Sequence, residues 1–281
     1  MSALALGLIA AVCWGFHDIC VRFLSQKTPI SACIIVVLTT GLIFHLAQMT
    51  VRGGFDPISS QAMWLSLGAG VAFVLATFGL YAAFQRGPVR LVAPLIAAYP
   101  ILSVAWAAFS GTPVSIWQWL AVVCIVAGVG LVAALSDTSE DESPPKGRTA
   151  FYALASGVGF AGTFALGQAA ADLSGEAPTT LVTRVMAVGL TIAMLLVARQ
   201  PFWPRRKAMP FLLAKGIADG IELICVFSAG ELPNPQYAAV ASSMFGLLTI
   251  VMAWVILRER MSLPQWGGCL VAFAGVGYLA L

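Results

Sequence analysis

The chain has 281 residues, of which 60% are apolar and 10% charged, with a net charge of +3 and a mean hydropathy of +0.92. In soluble globular domains about a quarter of the residues are charged, so this composition excludes a soluble domain. Between Arg90 and Asp137 there is no Lys, Arg, Asp or Glu, a run long enough for two membrane crossings of about 20 residues each. The composition therefore predicts an integral membrane protein.

Apolar segments separated by charges, Gly/Pro turns and polar clusters predict ten transmembrane helices. In chain order they cover residues 2–23, 30–50, 62–85, 89–109, 116–135, 149–171, 177–198, 209–231, 236–257 and 263–281. Pro94 and Pro100 interrupt the fourth helix, because proline lacks the backbone N–H that a helix needs. The one strongly polar stretch, 136–147, is a linker between a first five-helix repeat, 1–135, and a second, 148–281.

The two five-helix units are copies of one another. Residues 115–132 and 262–279 align without a gap at a constant offset of 147 and are identical at seven of eighteen positions. Internal repeats are common in secondary transporters. Because each copy has an odd number of helices, the second must enter the membrane from the opposite side. The sequence predicts an all-α integral membrane fold, with ten transmembrane helices as two inverted five-helix repeats around a central cavity.

Two motifs resemble those of a known family. Trp14, with a glycine after it, precedes a basic residue late in helix one, Arg22, and residues 258–267 read Arg-Glu-Arg-Met-Ser-Leu-Pro-Gln-Trp-Gly. Over essentially its whole length the chain resembles the EamA-type transporters of the drug/metabolite transporter (DMT) superfamily. It departs from that pattern in its first half, where Thr112 stands at the position equivalent to Glu259.

The resemblance implies a protein that exports or exchanges small metabolites through a cavity lined by helices of both halves. Within the superfamily the chain is similar to the YddG-like amino-acid exporters, on the basis of the pair Tyr99-Pro100 in helix four. The expected partners are the lipid bilayer, a small-molecule substrate and a coupling proton, with no nucleic acid, cofactor or metal. We expect a monomer or homodimer in the bacterial inner (plasma) membrane, and the loop charges favour both termini outside.

Helix eight carries three charges, Lys215, Asp219 and Glu222, at i, i+4 and i+7. This spacing places them on one stripe of the helix. A charge at mid-bilayer costs about 2.5–3.5 kcal/mol, so the stripe should line the cavity. In one interpretation Lys215 and Asp219 form an internal ion pair, and Glu222 either snorkels toward the membrane surface or bonds to a neighbour. In the other, Asp219 and Glu222 compete for a proton, which couples transport to protons, or they accept a substrate ammonium.

Helix one supplies a second group of polar candidates. Asp18 and Arg22 lie one turn apart and are predicted to form a structural pair. His17 either changes its protonation near neutral pH or is a hydrogen-bonded packing residue.

Further candidates for substrate contact lie in the remaining helices. Arg184 either meets a substrate carboxylate or neutralises Asp172 or Glu176. Aromatic residues near the midplane would form an apolar wall, and two serines in helix nine replace an apolar pair of the first repeat. These residues are Phe78, Tyr81, Tyr99, Phe164, Ser242 and Ser243.

Two transport functions fit these residues. The favoured one is a secondary active transporter that exports hydrophobic or aromatic amino acids by alternating access. The alternative is an exporter of organic cations or drugs, which uses the same acidic residues and has no need of Arg184. The sequence contains no GxxxxGK[ST] nucleotide-binding loop and no extended polar loop, which disfavours an ATP-driven pump and a membrane enzyme.

Overall fold

The structure is a computed structural model that describes residues 2–52, 57–102, 105, 114–135, 146–233 and 236–279. Within these ranges every regular element is helical. The helices are α1 (Ala3–Ser25), α2 (Ile30–Arg52), α3 (Ser60–Arg86), α4 (Val89–Ala97), α5 (Ile116–Leu135), α6 (Lys146–Ser174), α7 (Glu176–Val197), α8 (Met209–Ser228), α9 (Gln236–Ser243), α10 (Phe245–Met252) and α11 (Leu263–Leu279). Short 3-10 turns flank α8, and a π-helical turn continues α10.

The predicted helices are present, and two of them are broken. The fourth ends as α4 at Ala97, and a turn at 98–99 separates it from a helical stretch at 100–102. This break confirms the interruption predicted at Pro100, whereas Pro94 lies within α4 and does not end it. The predicted end of this helix, at 103–104 and 106–109, lies outside the described residues. The ninth was predicted as one helix, but it divides at Met244 into α9 and α10, so that prediction was wrong.

Among the described residues, five helices are long and apolar enough to cross a membrane, namely α1, α2, α3, α6 and α7. Shorter apolar helices occur in the regions of α4, α5 and α10. The 20 residues of α8 could cover about 30 Å, close to the thickness of the hydrocarbon core of a bilayer, although this helix contains three charges. Length and composition therefore indicate a multi-pass membrane protein.

Most of the extensive helix contacts join the first half of the chain to the second, and they occur in matched pairs. If α6 is taken as the copy of α1, α7 of α2 and α8 of α3, the contact of α3 with α6 matches that of α1 with α8. The contact of α3 with α7 likewise matches that of α2 with α8, and the α4–α6 contact matches that of α1 with α9 and α10. The α2–α7 and α5–α11 contacts each join a helix to its own copy. The interface between the halves is therefore symmetric, and the core lies within it.

Small residues allow the helices of this interface to pack closely against each other. A Cβ added to Gly70 of α3 would lie 2.8 Å from the Thr183 carbonyl oxygen of α7, and one added to Gly268 of α11 would lie 2.8 Å from the Gly128 carbonyl oxygen of α5. Ser156 of α6 adds a hydrogen bond to a backbone carbonyl of α3 at 2.8 Å. Close approach of backbones and interhelical hydrogen bonds stabilise helix packing where lipid provides no hydrophobic drive.

Candidate functional site

The three charges of α8 face the interior of the protein. Lys215 and Glu222 are fully buried and Asp219 is 4% exposed. The opposite side of the helix presents Leu213 and Ile217, which are more than 40% exposed. Burial confirms that the charged stripe avoids lipid, as the cost of a charge in hydrocarbon requires.

Asp219 is paired with Arg184 of α7. The Arg184 Nη1 atom lies 2.6 Å from Asp219 Oδ2, and Nη2 donates to the Asp219 backbone carbonyl at 2.9 Å. Phe73 of α3 packs on the guanidinium, and Arg184 Cζ lies 4.7 Å from the centroid of the Phe73 ring. On α2, Gly41 leaves room for it, since a Cβ there would lie 3.1 Å from Arg184 Cζ. Arg184 therefore neutralises Asp219, and the predicted pairing with Asp172 or Glu176 was wrong.

Lys215 contacts Tyr81 of α3. Its ammonium donates to the Tyr81 hydroxyl and lies 3.8 Å from the centroid of the same ring, a cation–π distance. In the described part of the chain, no carboxylate lies within ion-pair distance of Lys215. The predicted ion pair with Asp219 does not form, because Asp219 pairs with an arginine of a neighbouring helix.

Glu222 is a buried acidic residue of α8. Neither of its carboxyl oxygens has a partner among the residues that the structure describes. Its charged neighbours include Asp219, Asp18 and Arg184. The predicted hydrogen bond from Glu222 to a neighbouring residue is therefore not seen in this region. Buried polar atoms are normally paired, so this carboxyl group requires an explanation.

Asp18 of α1 joins this cluster from the first half of the chain. His17 Nδ1 lies 3.1 Å from Asp18 Oδ1, and the Thr249 hydroxyl of α10 lies 3.3 Å from Asp18 Oδ2. The predicted Asp18–Arg22 pair was wrong. Arg22 instead donates to the Phe84 backbone carbonyl at 2.7 Å. Within the described ranges, no three His, Cys, Asp or Glu side chains could hold a metal ion.

An aromatic cluster lies next to these charged residues. Trp14 of α1 is at its centre. The centroid of its ring lies 5.6 Å from that of Phe160, 5.1 Å from that of Phe164 and 5.7 Å from that of Phe245. Tyr99 lies 5.4 Å from Phe164. Five aromatic side chains from both halves of the chain thus form one buried apolar wall.

The other predicted site residues have different surroundings. The Tyr99 hydroxyl lies 2.7 Å from the Ser242 hydroxyl, so Ser242 borders the aromatic cluster, and Ser243 is fully buried beside it in the chain. Phe78 is half-buried and packs against the apolar core. The structure thus places Tyr99, Phe164 and Ser242 together and Tyr81 with the charges.

The aromatic and charged clusters adjoin on two helices. In α1, Trp14 precedes Asp18 by one turn, and in α10, Phe245 precedes Thr249 by one turn. Four residues of helix rise by about 6 Å. Sequence reasoning missed Thr249 and Gly41 as members of the site. The i, i+4 spacing from Phe245 could have indicated Thr249, whereas nothing in the local sequence indicates Gly41.

Glu259 connects the turn after α10 to the start of α4. Its Oε1 accepts from the backbone N–H of Val89 at 3.2 Å, and its Oε2 accepts from that of Arg90 at 3.3 Å. Arg22 Nε lies 3.9 Å from the same carboxylate. The first amide groups of a helix have no partner within the helix, so this glutamate caps α4 from the other half of the chain. Thr112, its counterpart in the first half, lies outside the described residues.

These features define a class of protein: a multi-pass, all-helical membrane protein of two repeats, with buried charges between them. The model of the EamA-like transporter family matches residues 1–134 and again residues 147–281. The chain therefore belongs to the EamA-like transporter family, whose members move small molecules across membranes. The family assignment indicates a transporter and not an enzyme.

Comparison with solved structures supports the fold. Among these, 28 chains match. One of them, described only as "Crystal structure of protein", has a TM-score of 0.73 at 16% sequence identity, over 99% of this chain and 98% of the other. At this identity the likeness shows the fold alone. No curated protein matches the chain.

Proposed function

We propose that this protein is a secondary active transporter that exports hydrophobic and aromatic amino acids by alternating access, in the bacterial inner membrane. The observation that supports this most directly is the buried aromatic cluster around Trp14, one helical turn from the charged cluster around Asp18. A substrate with an apolar side chain and charged groups at its other end matches both clusters. The carboxylates of the charged cluster are also where a coupling proton would bind.

Alternating access requires a site that both halves of the protein share. Trp14 and Tyr99 come from the first repeat, and Phe160, Phe164 and Phe245 come from the second. The charged cluster likewise combines Asp18 and Tyr81 of the first repeat with residues of α7 and α8. If the repeats are inverted and rock against each other, a central cavity at this interface would open to one side of the membrane at a time.

Export of organic cations or drugs is the second candidate function. The observation in its favour is that Asp219 already engages Arg184, so that this arginine is not free for a substrate carboxylate. An aromatic wall with nearby carboxylates also suits a hydrophobic amine, because aromatic rings and carboxylates both attract cations.

Counterflow in proteoliposomes distinguishes the two functions. Vesicles preloaded with unlabelled L-phenylalanine should take up labelled L-phenylalanine, and other hydrophobic amino acids should compete with it. Phenethylamine, the same molecule without its carboxylate, should not compete. Counterflow of phenethylamine that phenylalanine does not inhibit would instead establish the organic-cation function. Absence of counterflow for every amino acid would exclude amino-acid transport.

A further inference from the structure

Two of the three charges on α8 have no ion-pair partner in the part of the chain that the structure describes. Asp219, in the middle of the stripe, is neutralised by Arg184. Lys215 on one side of it has only the Tyr81 hydroxyl and ring, and Glu222 on the other side has no hydrogen-bond partner among the described residues. A buried charge without a partner is costly, and within membranes such charges mark functional sites. A ligand that pairs with them would remove that cost.

The two unpaired charges have opposite signs and lie on the same face of one helix. Seven residues separate Lys215 from Glu222, which corresponds to about 10.5 Å along the axis, and this spacing returns to nearly the same side of the helix. The Arg184–Asp219 pair lies between them on the stripe. A small molecule with a cation at one end and an anion at the other would therefore meet a basic and an acidic side chain on the same face of α8.

The surroundings of the two residues suit the two ends of a zwitterion. At Lys215, the Tyr81 hydroxyl accepts a hydrogen bond from the ammonium and keeps its own O–H to donate, so a carboxylate there would receive two hydrogen bonds. At Glu222, one neighbouring group is Cys13, which precedes Trp14 in the chain. Asp18, another neighbour of Glu222, lies one turn from Trp14 on α1, so an apolar side chain on the substrate's ammonium-bearing carbon would be directed toward the aromatic cluster.

We propose that Lys215 and Glu222 are the two poles of a zwitterion-binding site. Lys215 with Tyr81 binds the substrate carboxylate, Glu222 binds its ammonium, and Arg184 acts as the fixed counter-ion of Asp219. This inference rests on the proposed export of amino acids and adds to it the residues that recognise each end of the substrate. It reassigns carboxylate recognition from Arg184 to Lys215.

A matrix of three ligands and three variants tests this assignment. The ligands are L-phenylalanine, phenethylamine without the carboxylate, and 3-phenylpropanoate without the ammonium. The variants are Lys215→Met, Tyr81→Phe and Glu222→Gln. Binding is measured by ligand-induced thermal stabilisation of the purified protein, and transport by phenylalanine counterflow. Lys207→Met and Asp172→Asn, which change exposed residues of the same charge, serve as matched controls.

We expect phenylalanine binding to weaken about tenfold or more in Lys215→Met and in Glu222→Gln, because each variant loses a charge-assisted hydrogen bond. Lys215→Met should bind phenethylamine as well as the wild type does, because this ligand has no carboxylate. Glu222→Gln should bind 3-phenylpropanoate as well as the wild type does, because this ligand has no ammonium. Tyr81→Phe, which keeps the aromatic ring, should lower only the affinities of the two carboxylates. The control variants should match the wild type for every ligand.

Three results would overturn the proposal, and they are distinguishable. If the wild type binds no amino acid, the proposed function fails and this assignment fails with it. If the wild type binds phenylalanine but Lys215→Met and Tyr81→Phe still favour it over phenethylamine as the wild type does, the function stands and the assignment of the carboxylate to Lys215 is wrong. An equal loss for all three ligands in a folded variant would also contradict it, because it would indicate a structural role.

Discussion

Arg184 and Asp219 form a buried ion pair between α7 and α8, with Nη1 2.6 Å from Oδ2 and a second bond from Nη2 to the Asp219 carbonyl. Because of this pair, the two carboxylates of α8 differ in their surroundings. Asp219 has an ion-pair partner, whereas Glu222, one turn further along, has no hydrogen-bond partner among the described residues. Neutralising Asp219 should therefore lower the stability of the protein, whereas neutralising Glu222 should not.

We expect Asp219→Asn to lower the thermal stability of the purified, substrate-free protein strongly. It leaves Arg184 charged and buried without its partner, and breaking a buried pair costs about 3–5 kcal/mol. Glu222→Gln should leave stability unchanged or raise it, since no partner is lost. Thermal unfolding in detergent measures both. In the double variant Arg184→Leu with Asp219→Leu, the loss should be smaller than the sum of the single losses; additive losses would show that the two residues do not interact.

Gly41 should be essential for the position of Arg184. A Cβ at this residue would lie 3.1 Å from Arg184 Cζ, so Gly41→Ala should displace the guanidinium from Asp219 and reduce stability by about 1–3 kcal/mol. Counterflow activity should fall with it. The matched control is Gly189→Ala in the same helix as Arg184, where a Cβ meets nothing within 4 Å. A Gly41→Ala protein as stable as the Gly189→Ala protein would show that this close approach does not position Arg184.

The sequence predicts the helices and the inward stripe of charges well, because both follow from the bilayer. An apolar run must be long enough to cross hydrocarbon, and charges such as Lys215 and Asp219 must avoid it. The division of the ninth helix at Met244 was not predictable in this way. Gly246 lies two residues after the break, but a single glycine within a helical pattern is tolerated, so it did not indicate a division there.

The partners of the charged residues could not be predicted from sequence spacing. Lys215 and Asp219 are one turn apart, as are Asp18 and Arg22, and this spacing favours pairing in an isolated helix. In the folded protein the partners come from other helices, because the core brings Arg184 to Asp219 and the Phe84 carbonyl to Arg22. Contacts between helices depend on the packing of the whole bundle. The spacing of residues within one helix does not determine that packing.

Removal of the Glu259 cap should weaken the start of α4. Its carboxylate accepts hydrogen bonds from the backbone N–H groups of Val89 and Arg90, and loss of a helix cap costs about 0.5–2 kcal/mol. In Glu259→Ala we expect faster hydrogen exchange at these two amides and a lower unfolding temperature. Asp172→Ala, which removes an exposed carboxylate, is the control. Unchanged exchange at both amides would contradict the capping role.

The aromatic cluster should set the preference for aromatic over aliphatic substrates. Trp14 contacts three other rings of this cluster, and aromatic pairs contribute about 0.5–1.5 kcal/mol beyond area burial. Trp14→Leu should therefore reduce the affinity for phenylalanine relative to leucine by about two- to tenfold, because leucine gains little from ring contacts. Competition of both amino acids in the counterflow assay measures the ratio. Trp64→Leu is the matched control, since Trp64 is 73% exposed in α3 and its loss should leave the ratio unchanged. A Trp14→Leu protein that transports both amino acids with the wild-type preference would show that the substrate side chain binds elsewhere.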